Sequence, residues 1–447
     1  MLDVLAAGAA DPAQIAGRQR QRLAELLQAA SASHHYGALL QGRDPHGVVL
    51  ESLPVTGKHD LMAQFAHRVT DPALVLAALR ALCADPRRIA EHYLDRYHVW
   101  ESSGSTGQPG LFVQDDTAMA VYDALEAARR HSPRPWVRWV DPLFLTERFA
   151  LVGAIGGHFA SMVSARRLWT ANPWLATASR AFSILQPTAA LVAQLNPFAP
   201  SILATYPTAA ALLADEARRG ALTIRPQEVW TGGETLSLSQ RSRIEQGLGC
   251  AVRNSYGASE FLPIAWECAQ GQLHVNADWV ILEPVDVAHR PVPAGQVSHT
   301  TLLTNLANHV QPLIRFDLGD RIRFDPAPCR CGCALPVVQV RGRRDDVLVV
   351  PGRSGEPVTL LPLALTTVLE DDAGVFDFQM RQTGPRDWCL TLGPGEAPTP
   401  ALRSRCRQVL AAFAEAQGAA GLRIVTRHAG ALPLGASGKC QRVVAMP

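Results

Sequence analysis

The chain has 447 residues, about three times the length of an ordinary domain, so two or three structural units are expected. Hydrophobic residues make up 47% and charged residues 18%, with 42 Lys+Arg against 40 Asp+Glu for a formal charge of +2. That balance excludes a disordered chain, a nucleic-acid footprint and an acidic tail. The longest apolar stretch, Phe149–Ala165, is cut by Gly156, Gly157 and His158 and falls short of the ~20 residues of a membrane span. The apolar Met1–Ala10 has no basic n-region, so no signal peptide is expected. Of nine cysteines, Cys329, Cys331 and Cys333 cluster, with Cys268 upstream. An odd, clustered set suits a metal site in a reducing compartment better than a disulfide framework, which makes the cytoplasm the expected location.

Residues 12–41 read as one helix, with Leu23, Leu26, Leu27 and Ala30 on one face and Arg18, Arg20 and Arg22 solvated on others. Helical pieces follow at Lys58–Phe65 and Pro72–Leu82. From about 97 to 300, strand-like runs (Phe149–Ile155, Glu228–Trp230) alternate with helical ones (Ala118–Arg130, Thr208–Arg219), which predicts an α/β architecture with largely parallel sheets. Val280–Phe324 reads as strand after strand, a β-rich appendage. A break falls at Arg341-Gly-Arg-Arg-Asp-Asp346. Beyond it come short strands at Phe376–Met380, Cys389–Leu392 and Leu422–Val425. One amphipathic helix carries Leu402, Cys406, Val409, Leu410 and Phe413 on a single face. This last part predicts a small α+β unit with its own core.

Ser102-Ser-Gly-Ser-Thr-Gly-Gln-Pro-Gly110 is rich in backbone N–H groups and hydroxyls able to wrap a polyphosphate. It is not a Walker loop, since no Gly-Lys-Ser/Thr follows. Thr231-Gly-Gly-Glu234 follows a strand-like run, and Asn254-Ser-Tyr-Gly-Ala-Ser-Glu260 follows a helix. In the latter, an aromatic beside a glycine can stack on a base, while a hard carboxylate oxygen can hold Mg²⁺ against phosphates. In Arg315-Phe-Asp-Leu-Gly-Asp320 the final carboxylate can accept both ribose hydroxyls. Gly342-Arg-Arg-Asp-Asp346 and Gly435-Ala-Ser-Gly-Lys439 complete the set. Taken singly, each reads equally as a solvated turn. Their order and spacing together are distinctive.

On these motifs the chain resembles, over nearly its whole length, the adenylate-forming, acyl-CoA synthetase-like superfamily. It is most similar to the phenylacetate–CoA ligase-like branch, through Leu53-Pro-Val-Thr-Gly-Lys58, the short length, and Glu267-Cys268…Leu273-His274 with the later Cys-rich loop. The resemblance implies a large N-terminal AMP-binding domain (1–343) of α/β layers with a β-rich appendage. A small mobile α+β C-terminal domain (344–447) would swing about Asp345. It implies that Lys439 bridges carboxylate and α-phosphate and that Glu260 holds Mg²⁺. Asp320 would then take the ribose and Tyr256 the adenine face. Ser103, Gly104 and Thr106 would hold the leaving phosphates, and Gly233, Glu234, Gly257, Ser259 and Arg343 would complete the nucleotide site. Two departures stand out. The phosphate loop has no lysine, with Gln108 where relatives in this branch often carry one and Gly110 where the wider superfamily does, so some pyrophosphate stabilisation must come from elsewhere. Pro351 precedes the glycine of the post-hinge strand.

Cys329-Arg-Cys331-Gly-Cys333 supplies two or three thiolates, and Cys268 and His274 a thiolate and an imidazole; one structural, tetrahedral S₃N zinc fits this set. Relatives usually lack a cysteine at the third position, which favours Cys329 and Cys331 over Cys333. For the acyl pocket, His158, Phe159 and Trp230 are the candidates, His158 being equally readable as a core histidine. The implied reaction is ATP-dependent activation of a carboxylic acid, expected to be aromatic, followed by transfer to coenzyme A or to a carrier-protein phosphopantetheine thiol. A carrier protein would dock on a local basic patch such as Arg241 and Arg243, or Arg129, Arg130 and Arg134. A homodimer is compatible with the resemblance; nucleic acid and membrane are not expected partners. The competing readings are an adenylating enzyme with a non-thiol acceptor and a non-catalytic nucleotide-binding protein.

Overall fold

The computed structural model describes residues 1–102, 109–129, 147–186, 188–343, 347–353, 355–360, 362–434 and 440–446. It is a mixed α/β protein of two compact units: residues 1–147, 154–180 and 253–340 in the first, and 148–153, 181–252 and 341–447 in the second. Among the described residues no helix is long and apolar enough to cross a membrane.

The first unit opens with the helix Pro12–Ala30. Proline stands at its first position, and Asp11 and Gln14 form a reciprocal capping box. The expected single helix to residue 41 is two. Ser33 accepts from Tyr36 N, gives its hydroxyl to the Ala30 carbonyl, and starts a second helix at His34–Leu40. Leu26, Leu27 and Ala30 are fully buried, as their spacing predicts. Arg22 is not solvated. It pairs with Asp3 and Asp278, and its guanidinium lies 3.5 Å from the Trp279 ring centroid. Arg129, expected on a surface patch, is likewise buried and grips both Asp278 oxygens at 2.7 Å. A fully buried carboxylate demands such pairing, and a sequence read locally cannot see a partner some 150 residues away.

The strands of this unit are antiparallel. Ala251–Ala258 pairs with Phe261–Glu267, which pairs with Leu273–Val275, and that in turn with Val337–Arg343. Val280–Val285, Thr300–Asn305 and Phe316–Asp317 make a three-stranded sheet, most of the expected β-rich appendage, while Asp320–Phe324, expected with them, lies instead beside Val337–Arg343. The parallel strands expected for the middle of the chain are found in the second unit. There Phe149–Gly153, Ile202–Thr205 and Glu228–Thr231 lie in parallel register, over a core that includes Val152, Leu203, Leu213, Val229 and Ile244.

Also in the second unit, Phe378–Gln382 pairs antiparallel with Asp387–Leu392 and parallel with Val443–Val444, while Arg423–His428 runs parallel to Asp387–Leu392. The helix Pro400–Ala416, capped by Thr399, lays Cys406 and Leu410 fully buried against this sheet, with Leu402, Val409 and Phe413 partly buried beside them. The core residues of this region all fall between Leu348 and Val443.

Candidate active site

In the first unit, Tyr97–Glu101 and Leu111–Asp115 form a hairpin whose connection is the Ser102–Gly110 motif. Ser102 and Gly110 close the base of that loop. Ser102 N donates to the Gly110 carbonyl, and Gly110 N to Ser102 Oγ, both at 2.8 Å. Ser103, Gly104, Thr106 and Gln108 lie outside the described residues. The Lys58 stem lies beside the loop's exit: a Cβ on Gly110 would stand 3.3 Å from Lys58 Cδ. Lys58 belongs to the Leu53–Lys58 motif, and Thr56 of that motif exchanges backbone hydrogen bonds with Arg315 and Asp317. Two segments more than 250 residues apart are thereby laid side by side.

The Asn254–Glu260 motif follows the helix Leu238–Leu248, as read from the sequence, and occupies the end of the strand Ala251–Ala258 and the turn into the next. The register shifts between Tyr256 and Ala258. Gly257 sits within that bulge, and a Cβ there would meet the Leu262 carbonyl at 2.0 Å, so only glycine fits. The bulge re-aims Tyr256, which is buried and donates its hydroxyl to Asp320 Oδ2 at 2.6 Å. The turn is fixed through main-chain carbonyls. Trp100 Nε1 donates to Ser259 O at 2.8 Å, and Asn305 Nδ2 to Glu260 O at 2.9 Å. Glu260 is half-buried.

Asn305 is the first of three fully buried amides, with Asn308 and Gln311. Asn305 Nδ2 also donates to the Tyr122 hydroxyl, and its Oδ1 accepts from Ala307 N and Asn308 N. Asn308 reaches Val113 O at 2.8 Å, while Gln311 exchanges hydrogen bonds with Val113 N and Leu111 O. This relay ties the hairpin flanking the phosphate loop to the backbone of Glu260. Sequence reading missed it, although three amides at three-residue spacing inside an apolar run are its signal.

In the second unit, Gly233 takes φ +77° in the turn after Glu228–Thr231. Glu234 accepts from Thr208 N and Oγ1 at 3.1 and 2.8 Å, and from Cys440 N at 3.3 Å. The carboxylate thereby holds the residue that follows Lys439, which with Asp345 lies outside the described residues. Burial pushes the Cys440 thiol up to about 12, so it stays protonated. Arg343 ends the strand Val337–Arg343, half-buried. Arg241 donates to Val252 O, and Arg243 pairs with Asp215 at 2.8 Å and covers the Phe376 ring. Arg130 and Arg134 lie outside the described residues.

His158 and Phe159 fall in the first unit and Trp230 in the second. His158 is buried with Nε2 3.1 Å from the Asp85 carbonyl, and its own carbonyl accepts from Glu101 N. Burial holds its imidazole below the ordinary pKa and therefore neutral. Phe159 is half-buried at the start of the helix Ala160–Ala171. Trp230 donates to Glu228 and tilts against Phe149 at 5.6 Å.

Cys268, His274, Cys329 and Cys331 converge, their ligand atoms all within 4.8 Å of one another. Cys268 and Cys329 each open a short turn closed at a glycine of positive φ, Gly271 and Gly332. The sulfurs of Cys268 and Cys329 stand 3.8 Å apart, matching the about 3.8 Å between two thiolates at 2.3 Å from a tetrahedral ion. Cys331 Sγ is 3.3 Å from His274 Nε2, while His274 Nδ1 faces the Leu335 carbonyl at 2.8 Å. A carbonyl only accepts, so Nδ1 carries the proton and Nε2 presents its lone pair. Cys333 is half-buried and outside this group.

No family model matches the chain. A phenylacetate-coenzyme A ligase of Thermus thermophilus is 28% identical over 186 residues, 39% of this chain and 40% of that protein. The matched stretch therefore spans about two fifths of the curated relative's length. Among solved structures, a 2-hydroxyisobutyryl-CoA ligase in its postadenylation state is similar over 98% of this chain and 91% of its own, with a TM-score of 0.70 at 20% identity. A benzoate CoA ligase from Burkholderia xenovorans is similar over 77% of this chain and 67% of its own, with a TM-score of 0.50 at 18% identity.

Asn305→Ala should lower the unfolding free energy in urea by at least about 2 kcal/mol, since each buried group left without a partner costs about 1–3 kcal/mol. A change below about 0.5 kcal/mol, the size of an ordinary surface substitution, would contradict the relay.

Proposed function

We propose that the chain belongs to the adenylate-forming, acyl-CoA synthetase-like superfamily and that it is an ATP-dependent ligase that adenylates a small, aromatic carboxylic acid and passes the acyl group to a thiol. The observation that carries this reading is the Tyr256 hydroxyl on Asp320. The adenine-side motif and the ribose-side motif, 64 residues apart, meet in one hydrogen bond. In the first half-reaction a carboxylate oxygen attacks the α-phosphorus of ATP and pyrophosphate leaves. In the second a thiol attacks the acyl carbonyl and AMP leaves. Coenzyme A is the proposed thiol; a carrier-protein phosphopantetheine is its alternative.

Such chemistry is governed by positioning and charge neutralisation. Asp320, oriented by Tyr256, would accept from the ribose hydroxyls, and the Tyr256 ring would flank adenine. Ser259 and the loop residues Ser103, Gly104 and Thr106 would donate to the phosphates. Glu260 is a hard-oxygen donor suited to Mg²⁺, which when bound spreads the charge of the departing pyrophosphate. Lys58, beside the exit of a loop without its own lysine, would add cationic charge there. Lys439 would bridge the carboxylate and α-phosphate. Phe159 is the proposed aryl contact in the first unit. His158, bonded to the Asp85 carbonyl, would act by shaping the wall.

Residues 344–447 are proposed to swing about Asp345 between the half-reactions, withdrawing Lys439. A self-contained core from Leu348 to Val443 supports motion as a body. The swing would release Glu370 from Ser237 and Ser239. The cysteine–histidine group is proposed to hold one structural zinc, since four protein donors leave no position for a reacting water.

Lys439→Ala should reduce acyl-adenylate formation about 100-fold, the scale of losing one transition-state cation or donor. Thioester formation from supplied acyl-AMP should stay close to wild type. Equal loss in both half-reactions would contradict the assigned role. Elemental analysis should find about one zinc per chain fewer in Cys329→Ser than in wild type, together with a loss of thermal stability; a zinc content equal to wild type in that variant would contradict the ligand set.

A further inference from the structure

A second cluster of metal-competent side chains lies in the first unit, unconnected with the proposed ligase chemistry. His92 precedes the hairpin, His98 is on the strand Tyr97–Glu101, and Asp116 is the first residue of the helix Asp116–Arg129. Backbone hydrogen bonds between Tyr93 and Tyr97 fold the chain back on itself, with Leu94 and Asp95 at φ +54° and +56°. This tight return sets His92 across from His98, their rings 4.4 Å apart. The His92 and His98 Nε2 atoms are 3.3 Å apart, and His98 Nε2 is 2.9 Å from Asp116 Oδ1.

Three acceptor-capable atoms thus converge on one point. A neutral His98 has one Nε2 proton at most, and it cannot satisfy a carboxylate oxygen and a second imidazole nitrogen from one direction. A cation can. Two nitrogens held at 2.0–2.1 Å by a tetrahedral ion stand about 3.3 Å apart, the spacing seen here. His98 is 1% exposed and held by the strand, whereas His92 and Asp116 face solvent. An ion would therefore have one rigid ligand, two adjustable ones and access from outside. Arg167, the nearby cation, is engaged by Asp123. Imidazole and carboxylate donors select borderline divalent ions over Ca²⁺ or Mg²⁺.

We propose that His92, His98 and Asp116 form a second site, separate from the cysteine–histidine group, for a divalent transition-metal ion of the zinc class with water completing its coordination. The test is titration of metal-stripped full-length protein with Co²⁺, read by stoichiometry and visible absorption, in wild type, His92→Ala and Asp116→Asn. Both substituted residues are exposed, so the variants should fold. Wild type should bind one equivalent more than either variant, and that equivalent should add no thiolate-to-cobalt absorption. Equal stoichiometry in wild type and both variants would overturn the site. The thiolate absorption reports the cysteine–histidine group by itself, so failure of that group would be seen as its absence and would leave this comparison intact.

Discussion

The first unit depends on burying amide side chains where apolar ones would be easier to bury. Asn305, Asn308 and Gln311 lie fully inside, and each is admissible there because its donors and acceptors are engaged. Their partners are the backbone of the strand Leu111–Asp115, the Tyr122 hydroxyl and the Glu260 carbonyl. A hydrophobic core specifies volume; a hydrogen-bonded amide specifies direction and register. The relay therefore fixes the flank of the Ser102–Gly110 loop relative to the turn carrying Glu260 more narrowly than packing alone would. Gly257 does the complementary work from the other strand, admitting the Leu262 carbonyl so that the bulge aims Tyr256 at Asp320.

Charge is handled in the same manner. Asp278 is completely buried and tolerated because Arg129 and Arg22 converge on it. Arg315, at φ +50°, pairs with Glu283 and donates to the Glu51 and Leu53 carbonyls. In both cases an ion pair joins segments distant in sequence, and losing one partner would strand an uncompensated charge.

Periodicity made the helical faces legible: Leu26, Leu27 and Ala30, or Cys406 and Leu410, are buried as their spacing demands. The strand-rich stretch from Val280 to Phe324 was legible through its β-branched and aromatic content. The convergence of Cys268, His274, Cys329 and Cys331 followed from donor chemistry, because thiolates and imidazole have few other reasons to cluster in pairs. Illegible were the features set by distant partners. Arg22 and Arg129 look like solvated cations until Asp278 is placed beside them. Glu234 looks like an exposed carboxylate until Thr208 and Cys440 close on it. The strand position of Tyr256 was obscured by Gly257, which reads as a turn in sequence and acts as a bulge in the sheet. His92 and His98 do not stand out in sequence because only a local reversal at Leu94 and Asp95 turns a six-residue separation into a 3.3 Å contact.

Acid-dependent ATP–pyrophosphate exchange asks whether this arrangement activates a carboxylic acid through its adenylate. Across benzoates, phenylacetates, cinnamates and short aliphatic acids, exchange should require Mg²⁺, need no thiol, and be strongest with an aryl acid. Absence of exchange with every acid, in protein shown to bind ATP, would contradict that activation.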